Sequence, residues 1–171
     1  MSLLRKLLCL FVIFASSSVL ADDDDEEAVK LWQEVEFQFP AAPRPENLQG
    51  FYVGAATENR FFVDVSSLSV GSDGVVRYTL VVLSPEGARN VTFEGMRCET
   101  KERRVYASGR LDGSWSKSRV AQWSRIQEVY GNRHHAALFL EYFCPDGVIV
   151  NNTEQAREAL RKGGHSSAKR W

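Results

Sequence analysis

The chain predicts an α+β fold: an antiparallel β-sheet with a C-terminal helix packed on one face and clamped there by one disulfide. Three features carry that expectation. Runs rich in aromatic and β-branched residues follow one another between Gly50 and Gly109, broken by short turn signals. One later stretch, "RHHAALFLEYFC" (133–144), places Ala136, Phe139, Leu140 and Phe143 at helical spacing. Cys98 closes one of the strand-like runs and Cys144 closes the helical stretch, so a bridge between them pins helix to sheet.

The first 21 residues read as an export signal. Arg5 and Lys6 form a basic start, Leu7 to Ala15 an apolar run too short to span a bilayer, and Val19 and Ala21 the small residues of a cleavage site after Ala21. Cleavage leaves 150 of the 171 residues, enough for one domain with one core. Losing Arg5 and Lys6 takes the basic residues from 21 to 19 against 22 acidic ones, a net charge of −3. That balance argues against a nucleic-acid partner, which calls for a basic surface. No later segment is apolar and long enough to cross a membrane.

Export decides the cysteines. Cys9 leaves with the signal, and Cys98 and Cys144 remain in an oxidising compartment where thiols pair. A zinc site would want histidines at ligand spacing, and a catalytic cysteine would leave the second thiol without a role. A bridge across 46 positions contributes about 4 kcal/mol through the unfolded chain.

Residues 22–49 read as an acidic and proline-rich segment before the domain. "DDDDEE" (22–27) is a solvated charge block, and "FPAAPRPEN" (39–47) can be neither helix nor central strand. The domain spans 50–150, and 151–171 holds a short polar helix, "TEQAREALRKGG", and a mobile basic tail. Its most detailed element is a hairpin. A three-residue loop Pro85–Glu86–Gly87 sets Ser84 against Ala88, and hence Tyr78 opposite Glu94, Val76 opposite Met96 and Leu80 opposite Thr92. Cys98 and Val82 share that face; Arg77, Thr79, Val81, Val91, Phe93 and Arg97 take the other.

Glu94 is then a carboxylate on the helix-covered face and needs a partner. Tyr78, Asp64, Arg77 and Arg97 complete a candidate polar network around it, read as structural and not catalytic. Asp64 reads as a strand-end residue bonding the amides that follow it. His134 and His135 are adjacent, so on a helix they diverge by about 100° and cannot easily share a metal; polar helix-start residues is the reading. Trp32, Trp115 and Trp123 are expected as lids over the core. No metal or cofactor motif is present, and neither a nucleophile elbow nor a phosphate loop occurs.

The stretch "FFVDVSSLSVGSDGVVRYTLVVLSPEGARNVTFEGMRC" (61–98), followed by "VYASG" and "YFCP", resembles the family named for cryptic neisserial protein one, with "DGVVRYTLVV" and "EGMRC" as its most specific parts. The resemblance covers Trp32 to Pro145 and implies an exported bacterial protein, periplasmic or attached to the envelope. A fainter likeness is to the surface adhesin protein E family, in which Asp64, Cys98 and Cys144 take the corresponding places. It implies an antiparallel sheet with a packed helix and one disulfide. Neither likeness supplies a catalytic residue, and no adhesin motif is identifiable.

The expected function is therefore a non-enzymatic binding or interaction protein of the periplasm. A surface-exposed, adhesin-like protein is the alternative, and a small hydrolase using Glu94 or Asp64 ranks below both. The expected partners are an envelope protein, a host-surface ligand or a second copy of the chain.

Overall fold

The computed structural model describes residues 31–168 except 121, 130 and 132. The export signal (1–21), its cleavage site and the acidic block (22–27) lie outside the described residues. Strands β1 (Leu48–Phe51), β2 (Arg60–Val70), β3 (Val75–Leu83), β4 (Arg89–Arg97), β5 (Glu102–Gly109) and β6 (Trp115–Lys117) form one antiparallel sheet in sequence order. β7 (Ser124–Arg125) pairs with the other end of β5. Each strand follows its neighbour through a short connection, the arrangement tight turns favour.

The β3–β4 hairpin has the register its turn dictates. Ser84 N–H donates to the Ala88 carbonyl at 2.9 Å, Gly87 N–H donates to the Ser84 carbonyl at 3.0 Å, and Gly87 takes φ +88°, where a side chain is strained. Tyr78 accordingly opposes Glu94, Val76 opposes Met96 and Leu80 opposes Thr92. Two irregularities bend the sheet. β2 shifts register against β3 between Asp64 and Ser69, and there the Ser67 hydroxyl accepts from Thr79 N–H and donates to the Asp64 carbonyl, both at 2.8 Å. β5 shifts against β4 beside Phe93 and Glu94, which leaves Tyr106 as the extra residue.

A helical segment covers one face. It begins as α1 (Arg133–Ala137) and continues through Leu138–Phe143 with π-winding, closed by Cys144 N–H donating to the Phe139 carbonyl at 2.9 Å. Ala136, Phe139 and Phe143 are buried as the helical spacing predicts, but Leu140 is only half-buried while Leu138 and Tyr142 are fully buried. The wider turn rotates later side chains relative to a 3.6-residue helix, so one stripe no longer describes the buried face. The Cys98–Cys144 disulfide is formed, with the two Cα atoms 5.4 Å apart.

The second helix, α2 (Thr153–Arg161), is capped by the Asn152 side chain accepting from Gln155 N–H at 2.9 Å, and it buries Ala156, Ala159 and Leu160. Its end is the Gly163–Gly164 pair, with Gly164 N–H reaching the Ala159 carbonyl at 2.8 Å. His165, expected in a mobile tail, donates its N–H to the Glu141 carbonyl and sets Nε2 2.9 Å from Gln155 Nε2.

The opposite face of the sheet is covered by residues 32–44, so the compact unit begins at Trp32 and not near Gly50. Prolines bar this segment from a ladder but let an extended chain lie across a sheet. Phe37 packs 4.3 Å from Tyr106 and 5.7 Å from Phe93, measured between ring centroids, and Phe39 stacks on Trp115. Trp32 Nε1 donates to the Asp73 carbonyl at 2.8 Å, Trp115 Nε1 to the Pro40 carbonyl at 2.7 Å, and the Arg97 guanidinium lies 3.7 Å over the Trp32 ring. Trp32, Trp115 and Trp123 thus sit in this aromatic layer.

Glu34 is the polar anchor of the layer. It pairs with Arg104 at 2.6 Å and Arg77 at 3.2 Å and accepts from the Tyr106 hydroxyl. Gly95 makes room for that tyrosine: a Cβ there would lie 2.2 Å from the Tyr106 hydroxyl oxygen. Gly95→Ala is expected to displace Tyr106, lose its bond to Glu34 and cost about 1–3 kcal/mol, the usual range for overpacking. Urea unfolding together with limited proteolysis within 32–44 checks this; an unchanged urea midpoint would refute it.

Candidate functional site

Between α1 and the sheet lies a half-open cleft of about 350 Å³. Its floor is polar and buried. Glu94, 2% exposed, accepts from the Thr92 hydroxyl at 2.7 Å and the Tyr78 hydroxyl at 3.2 Å, and its Oε2 lies 2.8 Å from His135 Nε2. His135 is itself 4% exposed. Strand alternation brings Tyr78, Leu80 and Val82 of β3 and Thr92 and Glu94 of β4 to this face. The bulge at Tyr106 keeps Val105 and Arg103 there too, opposite Glu94 and Met96.

Burial pushes the Glu94 carboxyl up, but the charge and hydrogen bond of His135, the Thr92 hydroxyl and the charge of Arg103 together hold it down at about 2. The carboxylate is therefore ionised at neutral pH, and His135 presents an Nε2–H to it. Burial first, and then the neighbouring Glu94 charge, push the Tyr78 hydroxyl well above the ordinary phenol range, so it stays a donor. His134 stacks on Phe61 with ring centroids 5.1 Å apart; burial and the neighbouring His135 lower it to about 4. It stands as a neutral, flat wall.

The cleft's walls are Val53 and Ala56 from the β1–β2 connection, Phe61, Leu80, Val82 and Val105. Asn59 and Asn90 add polar groups, and Arg133 opens α1 at the edge. The Arg133 guanidinium stands over Gly54, where an added Cβ would come within 3.7 Å of Nη1. Val53, Thr57, Asn59 and Phe61 also line a more open groove of about 540 Å³ that continues to Tyr52 and Tyr142. No group of three or more potential metal ligands gathers among the described residues.

The residues singled out by sequence divide between the two faces. Tyr78 and Glu94 meet on the cleft floor. Asp64, Arg77 and Arg97 do not join them, because alternation turns all three to the opposite face. Arg77, 4% exposed, pairs with Asp73 at 2.5 Å and with Glu34. Arg97 stands over Trp32 and within 4 Å of Glu99 and Glu102. Asp64 lies inside β2 and not at its end; its carboxylate accepts from Ser66 N–H at 2.9 Å and the Ser66 hydroxyl at 2.6 Å, holding the bulge.

His135 is the residue that sequence reasoning misplaced: it is a buried partner, not a polar helix-start residue. A signal existed. His135 stands four positions before Phe139 and eight before Phe143, on the apolar stripe itself, facing a sheet carboxylate in need of a donor. Arg103 was missed because only the β5 bulge fixes which face it takes.

A model of the CNP1-like family matches residues 27–161. The chain belongs to the CNP1-like family. The matched span contains both cysteines of the bridge, Cys98 and Cys144, and every residue of the cleft named above, which agrees with the likeness carried by the β2–β4 sequence. No curated protein and no solved structure matches the chain. No helix among the described residues is long and apolar enough to cross a membrane, and the disulfide fits an oxidising compartment.

Proposed function

We propose that this CNP1-like protein is a non-enzymatic binding protein of the bacterial periplasm, and that the cleft between α1 and the sheet holds its ligand. The observation that carries the reading is the cleft itself: a preformed concavity in which an apolar wall meets convergent polar groups over a buried polar floor, a build that suits a small-molecule site. The Glu94 end of the floor supports binding over catalysis. Glu94 already accepts from Tyr78, Thr92 and His135, which holds it as an ionised acceptor and not a proton donor, while the buried Nδ1 of His135 has no partner among the described residues. The Thr92 hydroxyl, the candidate nucleophile nearest the pair, is directed at the carboxylate. Residence in the periplasm rests on the bridge and on the export signal read from sequence.

The test uses N-phenyl-1-naphthylamine, a neutral apolar dye whose emission rises when it leaves water. The purified disulfide-bonded protein is expected to bind it, and Val82→Trp, which fills the cleft from β3, is expected to abolish the signal. Ala56→Trp fills the same space from the β1–β2 connection and serves where the strand variant does not fold. Equal dye binding by wild type and a folded, filled variant would refute the reading.

A further inference from the structure

We propose that the cleft selects a single-chain amphiphile with an anionic carboxylate or phosphate head, the head held by Arg103 and the chain lying on the apolar wall. The inference rests on the reading of the cleft as a ligand site and adds the ligand's class. Its basis is a charge imbalance in a confined space. Two guanidinium groups, Arg103 and Arg133, line the cleft against one carboxylate, Glu94. That carboxylate is already satisfied by Tyr78, Thr92 and His135. Among the described residues, neither Arg103 nor Arg133 forms an ion pair.

The arginines that are buried or half-buried on the opposite face of the sheet are paired, while Arg60, Arg89 and Arg125, without an ion pair among the described residues, are exposed to water. Arg77 has Asp73 and Glu34, Arg104 has Glu34, and Arg97 has Glu99 and Glu102. Arg103 differs because strand alternation turns it to the helix face, where the acid within its reach is Glu94. It is half-buried there, within the lining of the cleft. A planar guanidinium fork matches two oxygens of a carboxylate or phosphate in parallel bonds.

The rest of the lining fixes the remainder of the ligand. Val53, Phe61, Leu80, Val82 and Val105 present hydrocarbon, and the neutral His134 ring extends that surface by stacking on Phe61. A volume near the lower end for small-ligand sites suits one chain and not a branched or two-chain lipid. A longer chain continues past Val53 and Phe61 into the adjoining groove toward Tyr52 and Tyr142. Arg133, standing over Gly54, adds a second positive charge at the edge through which an anionic head approaches.

Competition against the bound dye tests this with four probes of equal chain length: decanoate, decyl phosphate, decanol and decyltrimethylammonium. Decanoate or decyl phosphate is expected to displace the dye at about tenfold lower concentration than decanol, the value of one charge-assisted hydrogen bond, and decyltrimethylammonium least of all. Which of the two anions is stronger separates a free acid from a phosphate headgroup as the natural source. Arg103→Met keeps the stem and is expected to erase the preference, read as the ratio of the anion's displacing concentration to that of decanol in the same variant. Equal displacement by the anion, the alcohol and the cation, or a preference undiminished in Arg103→Met, overturns the proposal and leaves the cleft a site of another specificity. Failure of the wild-type protein to bind the dye, or equal dye binding by a folded, filled variant, would instead refute the underlying reading.

Discussion

Replacing Cys98 and Cys144 together with alanine is expected to lower stability by about 4 kcal/mol, the chain-entropy contribution of a cross-link closing a 46-residue separation. For a domain of this size that is a fall in Tm of roughly 8–16 °C. Cys144 is fully buried and Cys98 nearly so, and alanine leaves no unsatisfied group in their place. The effect should extend to the cleft. α1 carries Arg133, His134 and His135, and the bridge fixes the far end of the same helical segment to the sheet. The variant is therefore expected to lose affinity for the dye before it unfolds globally. Urea unfolding of the variant beside wild type, with and without reductant, checks both parts. A variant within about 1 kcal/mol of wild type would mean that α2 and the buried Glu94–His135 pair already hold the helix.

Legibility from sequence followed how local the determining physics is. The β3–β4 register could be read because a three-residue turn fixes it, and the turn chemistry lies within Ser84–Ala88. That register placed Glu94 and Tyr78 together on the correct face without any tertiary information. The β5 strand was legible as a strand but not in its facing, since the bulge at Tyr106 inverts the alternation for all residues before it. The role of 32–44 was hidden for a related reason. Proline content excludes ladder pairing, yet nothing local says whether such a chain leaves the domain or lies across it. Its alternating Phe37 and Phe39 find Phe93, Tyr106 and Trp115 only once the sheet exists. π-winding after Ala137 is not local information either: with it Leu138, Tyr142 and Phe143 are fully buried while Leu140, expected on the stripe, is only half-buried.

The buried Glu94–His135 pair should write its signature in the pH dependence of stability. In the unfolded chain Glu94 titrates near 4.5, and in the folded protein at about 2. Between those values the unfolded chain holds the proton and the folded one does not. The resulting stabilisation is fully present above pH 4.5 and is lost as the pH falls through the window to 2, about 3 kcal/mol in all. Glu94→Gln removes the group and its share of the slope. Asp73, whose carboxyl is lowered because Arg77 and backbone donors outweigh its burial, titrates in both proteins and cancels in the difference. The expected result is a wild-type advantage of about 3 kcal/mol at pH 6, narrowing toward zero by pH 2.5, read from urea midpoints. His135→Ala strands the carboxylate with the Tyr78 and Thr92 hydroxyls as its remaining hydrogen-bond donors and is expected to cost about 3–5 kcal/mol at pH 6. With both residues replaced, the loss should fall short of the sum of the single losses by 1 kcal/mol or more, roughly the coupling of residues in direct contact. Strict additivity would mean that the two groups are neighbours without being partners. The cleft floor would then owe its order to α1 packing alone, and Glu94 would be free to answer to a ligand.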